Sequence, residues 1–200
     1  MTGPGGWPGA VLLDRDGVIT EPVPDPHTGT PESPLRAEDL RLVPGAAQAA
    51  RMLVERGIPV AVVSNQPAAA KGLITVDELR AIHDRTVELL AAEGVTLDGW
   101  EYCLHHPDGV VPELTAECDC RKPAPGLLLR ALDSLGVQAA DAWIVGDADR
   151  DIVAGKRAGV RTALVEHPGS VHRRNGEQPD VRAANLLEFA RWLLGTVAGD

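Results

Sequence analysis

The sequence is short of aromatic residues, of cysteine and of unbroken hydrophobic stretches, and each shortage removes a class of protein. Phe, Trp and Tyr make up 3% of 200 residues, so a core must be packed from Val, Leu, Ile and Ala. Three cysteines are an odd number, which excludes a fully paired disulfide framework. Cys103, Cys118 and Cys120 cluster instead, as reduced thiols do, and point to the cytoplasm. No apolar run approaches the roughly 20 residues needed to cross a bilayer. Met1 to Gly9 is rich in Gly and Pro and lacks the basic start and apolar stretch of a signal peptide. Cations are outnumbered, with 19 Lys and Arg against 29 Asp and Glu, for a net charge of -10. Such a field repels nucleic acid and anionic membranes, so neither is an expected partner. Any anionic ligand would need its own local cations.

What is present is ordinary for a globular chain: 44% apolar and 24% charged residues. The length suits a single domain, 1–200, able to bury a core without disulfides. Short apolar runs read as buried strands at Ala10–Leu13, Pro59–Val63, Trp100–Cys103, Ala142–Val145 and Arg161–Val165. Helical patterns fall between them at about 45–56, 76–93, 124–135, 150–158 and 185–194. Thr75 with Glu78 forms a capping-box start, and Gly57, Gly94, Gly136 and Gly159 stand where helices should stop. The alternation predicts a Rossmann-like α/β fold, a mostly parallel sheet with helices on both faces. Residues 20–44, with six prolines, and the polar stretch 166–184 read as long loops; loops of such length are more often functional than short ones.

In parallel sheets ligands bind beyond the carboxyl ends of the strands, and four polar groups stand at or near such ends. Asp14-Arg15-Asp16-Gly17 follows the first strand. Two carboxylates this close repel unless something offsets them, and a divalent cation such as Mg2+ prefers oxygen ligands. A carboxylate can also attack phosphorus, while its neighbour protonates a leaving oxygen and later activates water. Ser64-Asn65-Gln66 follows the second strand and offers donors to a phosphoryl oxygen. Arg121-Lys122 supplies cations for a nucleophile and for the group it receives. Gly146-Asp147-Ala148-Asp149-Arg150-Asp151 offers a second carboxylate to a metal at Asp147; Asp149 and Asp151 read more plainly as acids favouring a helix N-terminus. Alone, the Asp14–Asp16 pair reads equally as an acidic turn, whereas Ser64-Asn65-Gln66 and Arg121-Lys122 alone read more readily as a polar turn and a surface charge.

All three cysteines belong to one further pattern. Cys103-Leu-His105 is followed, twelve residues on, by Cys118-Asp-Cys120. Four such ligands suit a closed tetrahedral Zn2+ site, structural because no open position is evident. His106 is an alternative ligand with a poorer spacing.

Together the four strand-end motifs resemble the haloacid dehalogenase superfamily: D-x-D-G-V, then Ser, then Lys, then G-D-x-x-x-D, over about residues 10 to 165. The resemblance implies that Asp14 is the nucleophile and Asp16 the general acid/base. It implies Mg2+ held by Asp14, the backbone carbonyl of Asp16, and Asp147, with Ser64 and Lys122 stabilising the phosphoryl group. The runs Tyr102-Cys-Leu-His-His-Pro-Asp-Gly109 and Cys118-Asp-Cys-Arg-Lys-Pro-Ala-Pro-Gly126 are similar to the heptose bisphosphate phosphatases and the related histidinol-phosphate phosphatases. That likeness implies no large cap domain, a zinc loop at about 103–120 and a cytoplasmic monomer. It also implies a phosphorylated sugar substrate contacted by Asn65, Gln66 and Arg121. Two departures stand out. Pro67-Ala-Ala-Ala-Lys71-Gly72 replaces the family's Ser-Gly-Ile-Ala-Arg-Gly, and the loop after Asp16 is longer and richer in proline.

Lys71 and Arg121 are the expected holders of a distal phosphate. Histidinol phosphate is the alternative substrate, with Glu21 and Asp25 as candidate partners for its amine and imidazole. A zinc-stabilised binding protein with a vestigial site is the alternative outside enzymes; it requires the loss of Asp14, Asp16, Lys122 or Asp147, and all four are present. No pattern explains Arg173 and Arg174.

Overall fold

The computed structural model describes residues 6–25 and 28–196. Residues 1–5 of the Gly- and Pro-rich start, and Pro26, lie outside the described residues.

Six parallel strands form one sheet. In chain order they are β1 (Ala10–Leu13), β4 (Val60–Asn65), β5 (Gly99–Cys103), β6 (Ala142–Gly146), β7 (Arg161–Val165) and β8 (Val181–Ala183), with β2 (Val23–Pro24) and β3 (Pro31–Glu32) forming a separate antiparallel pair. The spatial order is β5-β4-β1-β6-β7-β8. The chain leaves β1 toward β4 and β5, then returns to the other side for β6, β7 and β8. The carboxyl ends of β4, β1 and β6 are therefore neighbours at the point where the winding reverses, the ligand position of such sheets.

The period-two alternation explains why these runs are apolar throughout. Val11 and Leu13 of β1, Val60 and Val62 of β4, and Trp143 and Val145 of β6 enter one core. Ala10, Leu12, Ala61, Val63, Ala142 and Ile144 enter the other. The first core is covered by α1 (Ala46–Glu55) and α5 (Leu186–Leu193), the second by α3 (Gly126–Leu135) and α4 (Asp149–Ala158). Each aliphatic side chain so buried contributes about 1.5–3 kcal/mol. The scarcity of rings is met by alanine: Ala46, Ala47, Ala49 and Ala50 of α1 pack against the sheet core. Phe189 is fully buried and meets the edge of Trp143 at 5.6 Å between ring centres.

The predicted strands and helices stand where the pattern put them. The capping box forms: Thr75 Oγ1 accepts from the Glu78 amide at 3.1 Å, and Glu78 Oε2 accepts from the Thr75 amide at 2.7 Å. It opens α2 (Val76–Ala92). The four stop glycines all take positive φ. Two stretches differ from expectation. The proline-rich segment 20–44 holds the β2–β3 pair, and 166–184 holds β8 and a 3-10 turn at Pro168–Arg173. β8 joins the sheet edge through Val181, Arg182 and Ala183 opposite Ala163, Leu164 and Val165. Among the described residues no helix is long and apolar enough to cross a membrane.

Candidate active site

β1 delivers Asp14 one residue past its last buried leucine, and the Asp14 amide donates to Val145 O of β6 at 2.9 Å. The side chain is 1% exposed. Its Oδ1 accepts from three donors: Ser64 Oγ at 2.7 Å, the Arg15 amide at 2.7 Å, and Lys122 Nζ at 3.1 Å. Arg150 Nη2 lies 3.8 Å from Oδ2. Burial alone would raise the Asp14 carboxyl, but Lys122, Arg150 and the Ser64 hydrogen bond outweigh it and hold the group below the usual carboxylate range.

Lys122 is wholly buried, and its ammonium is fully used. Nζ reaches Asp14, Asp151 Oδ1 at 2.6 Å and Val63 O at 2.8 Å. Burial would discharge it; the two carboxylates prevail and keep it protonated. Asn65 fixes the backbone at this lysine from both sides, donating to Lys122 O at 2.9 Å and accepting from its amide at 3.0 Å. Asp151 does serve the helix start, accepting from the Ala148 amide at 3.2 Å, and it is also buried and paired with Lys122.

Asp16 is equally crowded. Arg15 donates to both its oxygens, each at 3.0 Å. Thr20 Oγ1 adds 2.9 Å, Gln66 Nε2 2.9 Å and Ser33 Oγ 2.7 Å. Burial opposes ionisation, but Arg15 and these donors pull the carboxyl down to about 2. Gln66 also accepts from Arg15 at 2.8 Å and donates to Ser64 Oγ at 3.1 Å, so it links the two aspartates.

Asp147 is the group without enough partners. It is fully buried at the end of β6, and Oδ1 has no hydrogen-bond partner among the described residues. Ligand oxygens of Asp14, Asp147 and Asp151 lie within 4.8 Å of one another. Burial, then repulsion by Asp14 and Asp151, push the Asp147 carboxyl up to about 7. An unpaired buried oxygen facing other carboxylates fits a hard divalent cation. Gly17 takes φ 85°, and a side chain there would overlap Asp147; only glycine lets the turn after Asp14 close on this acid.

The second donor set is soft. Cys103 stands at the end of β5. Its Sγ lies 3.1 Å from Cys120 Sγ and 3.6 Å from Cys118 Sγ; Cys118 and Cys120 are 3.2 Å apart, and His105 Nδ1 is 3.4 Å from Cys120. A tetrahedron with 2.3 Å metal–sulfur bonds has sulfur–sulfur edges of about 3.8 Å, and the three sulfur–sulfur distances of 3.1, 3.2 and 3.6 Å lie inside that figure. The loop they close is tied to the 67–72 turn: the amides of Val110 and Val111 donate to Ala70 O at 2.7 and 3.2 Å. His106 does not join the set; its Nδ1 accepts from the Asp108 amide at 3.1 Å.

A cavity of ≈ 960 Å³ opens beside Gln66 and Ser33 and runs between the β2–β3 segment and the 67–73 turn. Lys71 lines it, as expected of a substrate-facing cation, together with Arg36, Arg41 and Asp25. Arg121 donates to His105 O at 3.3 Å, and it and Lys71 both act on the His106 ring from nearby. Glu21 is committed elsewhere, 2.8 Å from His167 Nε2. Sequence reasoning missed Arg15, Arg150, Ser33 and Asp151 as members of the site. Asp151 had a signal in the G-D-x-x-x-D spacing; the two arginines read as spacers between acids.

A parallel sheet with buried Asp14, Ser64, Lys122 and Asp147 at adjoining strand ends defines a HAD-like hydrolase, and residues 119–189 match the family described as HAD-hydrolase-like. The chain is 32% identical over 189 residues to a D-glycero-beta-D-manno-heptose-1,7-bisphosphate 7-phosphatase from Yersinia pestis, covering 94% of this chain and 91% of that one. It is 36% identical over 160 residues to the Escherichia coli (strain K12) protein of that name, covering 80% of each. The crystal structure of D,D-heptose 1,7-bisphosphate phosphatase from B. bronchiseptica, complexed with magnesium and phosphate, superposes with a TM-score of 0.78 at 28% identity, covering 94% of this chain and 99% of that one. The chain belongs to the family of these heptose bisphosphate phosphatases.

Proposed function

We propose that the protein is a phosphatase that takes the 7-phosphate from a heptose 1,7-bisphosphate through a phosphoryl group carried on Asp14. One observation carries the reading: Lys122 Nζ and Ser64 Oγ both hold Asp14 Oδ1, beside an Asp147 oxygen left unpaired. The Asp14 carboxylate is the group that attacks phosphorus. The phosphorus–sugar oxygen bond breaks as the Asp14–phosphorus bond forms, giving an aspartyl phosphate, and Asp16 delivers a proton to the departing sugar hydroxyl. Arg15 keeps Asp16 ionised in the free site; an arriving phosphoryl dianion raises its pKa by repulsion, so the same carboxyl gains and gives up its proton within the cycle. In the second half Asp16, ionised again, takes a proton from the water that attacks phosphorus and frees Asp14. Ser64 and Lys122 face charge developing on the phosphoryl oxygens. Asp14, the Asp16 carbonyl and Asp147 would hold Mg2+, which supplies positive charge to the transferring group. Asn65 acts by setting the backbone of Lys122. Gln66 lines the cavity and orients Asp16. Lys71 and Arg121 are the cations offered to the second phosphate.

Substrate identity is tested by comparing kcat/KM for heptose 1,7-bisphosphate, histidinol phosphate and simple sugar monophosphates. The bisphosphate is expected to lead by at least about tenfold, since a site built for a second charged group rejects substrates that lack it. Faster turnover of histidinol phosphate would overturn the assignment.

Cys103, His105, Cys118 and Cys120 would hold Zn2+ as a structural ion. Freshly purified, reduced protein is expected to carry about one equivalent of zinc by elemental analysis, and Cys118→Ser to lose most of it. Metal-free wild type with its fold intact would count against the site.

A further inference from the structure

We propose that Ser170 is a positioning residue for the divalent cation: it ties down the outer oxygen of Asp147 so that the inner oxygen is presented to the ion. The inference rests on the reading of Asp147 as an Mg2+ ligand.

The two oxygens of Asp147 have opposite surroundings. Oδ2 accepts a hydrogen bond from Ser170 Oγ and lies against the turn at Gly17. Oδ1 is buried and without a hydrogen-bond partner among the described residues. Ionised, as a metal ligand must be, Asp147 can only accept, so the Ser170 hydroxyl is then the donor. Ser170 is itself fully buried, which leaves its hydroxyl little else to serve. With Oδ2 engaged, rotation of the carboxylate is blocked and Oδ1 keeps one direction. Mg2+ demands near-ideal octahedral geometry, so a ligand oxygen fixed beforehand matters more for it than for a tolerant cation.

The segment that carries Ser170 is tethered along its length, which is what a positioning role requires. At its start, His167 Nε2 lies 2.8 Å from Glu21 Oε2, and His167 Nδ1 accepts from the Gly169 amide at 3.1 Å. The hydrogen bond accepted at Nδ1 makes Nε2 the nitrogen that carries the proton and donates to Glu21. The Ser170 amide donates to His167 O at 3.1 Å. At its end, Arg173 donates to Pro31 O at 2.8 Å and to Glu32 at 2.9 Å. Arg174 Nε donates to Asp147 O at 3.1 Å, and its Nη2 to His167 O. The two arginines that no sequence pattern explained therefore clamp this segment to the β2–β3 pair on one side and to the metal carboxylate's own backbone on the other. Ser33, just after β3, donates to Asp16, so the same tether braces the surroundings of both acids.

The test is an Mg2+ titration by isothermal calorimetry on the purified full chain, using wild type, Ser170→Ala, Asp147→Asn and, as control, Val171→Ala. Val171 is the exposed neighbour of Ser170. Ser170→Ala is expected to weaken Mg2+ binding about 10- to 100-fold, the usual cost of losing a group that orients a metal ligand. Val171→Ala is expected to bind as wild type. Wild-type affinity in Ser170→Ala, with weak binding in Asp147→Asn, would overturn this inference alone. Wild-type affinity in Asp147→Asn would overturn the metal assignment and this inference with it. If Ser170→Ala fails to fold, Ser170→Gly, which also removes the hydroxyl, is titrated under the same criterion.

Discussion

Asp14→Asn should abolish turnover while leaving the fold, and the zinc content measured for wild type, unchanged. The change removes the attacking anion and little else. Asn keeps the shape and an oxygen able to accept from Ser64, and Lys122 retains Asp151 as a counter-charge at 2.6 Å. Stability therefore has two opposing changes: one attraction to Lys122 is lost, and one buried like charge beside Asp147 is removed. The expected net effect on unfolding is within about 2 kcal/mol. The expected loss in kcat is at least about 10,000-fold, the scale seen when a nucleophile is deleted. A rapid-quench experiment with labelled substrate should trap a phosphorylated protein from wild type and none from the variant. Turnover within tenfold of wild type would sink the nucleophile assignment.

Lys122→Met is expected to damage both activity and stability. In wild type one ammonium serves Asp14 and Asp151 together, all three groups being buried. Removing it strands two carboxylates, and breaking a buried pair from one side costs about 3–5 kcal/mol. The loss of kcat is expected at about 100- to 1,000-fold or more, as for deleting a preorganised donor. The stability deficit has a predictable pH dependence. In the variant the stranded carboxyls have pKa values raised in the folded state, so the folded variant takes up protons that the unfolded chain does not. Its stability relative to wild type should recover as pH falls toward about 4, and the deficit should be largest near neutrality. Denaturant unfolding of both proteins across that range checks it. A deficit independent of pH would show that the lysine acts through packing alone.

How much of this was legible in the sequence depended on length and on period. Strands of four to six apolar residues, buried on both faces, announce themselves, and the rule that chemistry follows such strands located Asp14, Ser64 and Asp147. The capping box and the C-x-H…C-x-C spacing are local patterns and were equally visible. β8 is three residues long, one of them exposed, and its flanks are polar, so nothing separated it from a loop. β2 and β3 are two residues each and contain prolines, which read as irregular chain. The harder failures were charged residues turned inward. Arg15 and Arg150 sit between acids and read as spacers because arginine is normally exposed; only the tertiary arrangement shows Arg15 buried with both oxygens of Asp16. Ser170 carried no signal, since its partner lies 23 positions away.

The tether between the β2–β3 segment and the turn at 168–173 has a consequence for how the molecule comes to exist. Glu21 and His167 are 146 positions apart, and Arg173 and Pro31 are separated by 142. Contacts of such high sequence separation are late rewards in folding, because the intervening chain must be closed before they form. Helical content recovered in a refolding experiment should therefore run ahead of metal binding and turnover. A growing chain that has completed β1, β4 and β6 already holds Asp14, Ser64, Lys122 and Asp147, and still lacks the segment that aims the last of them.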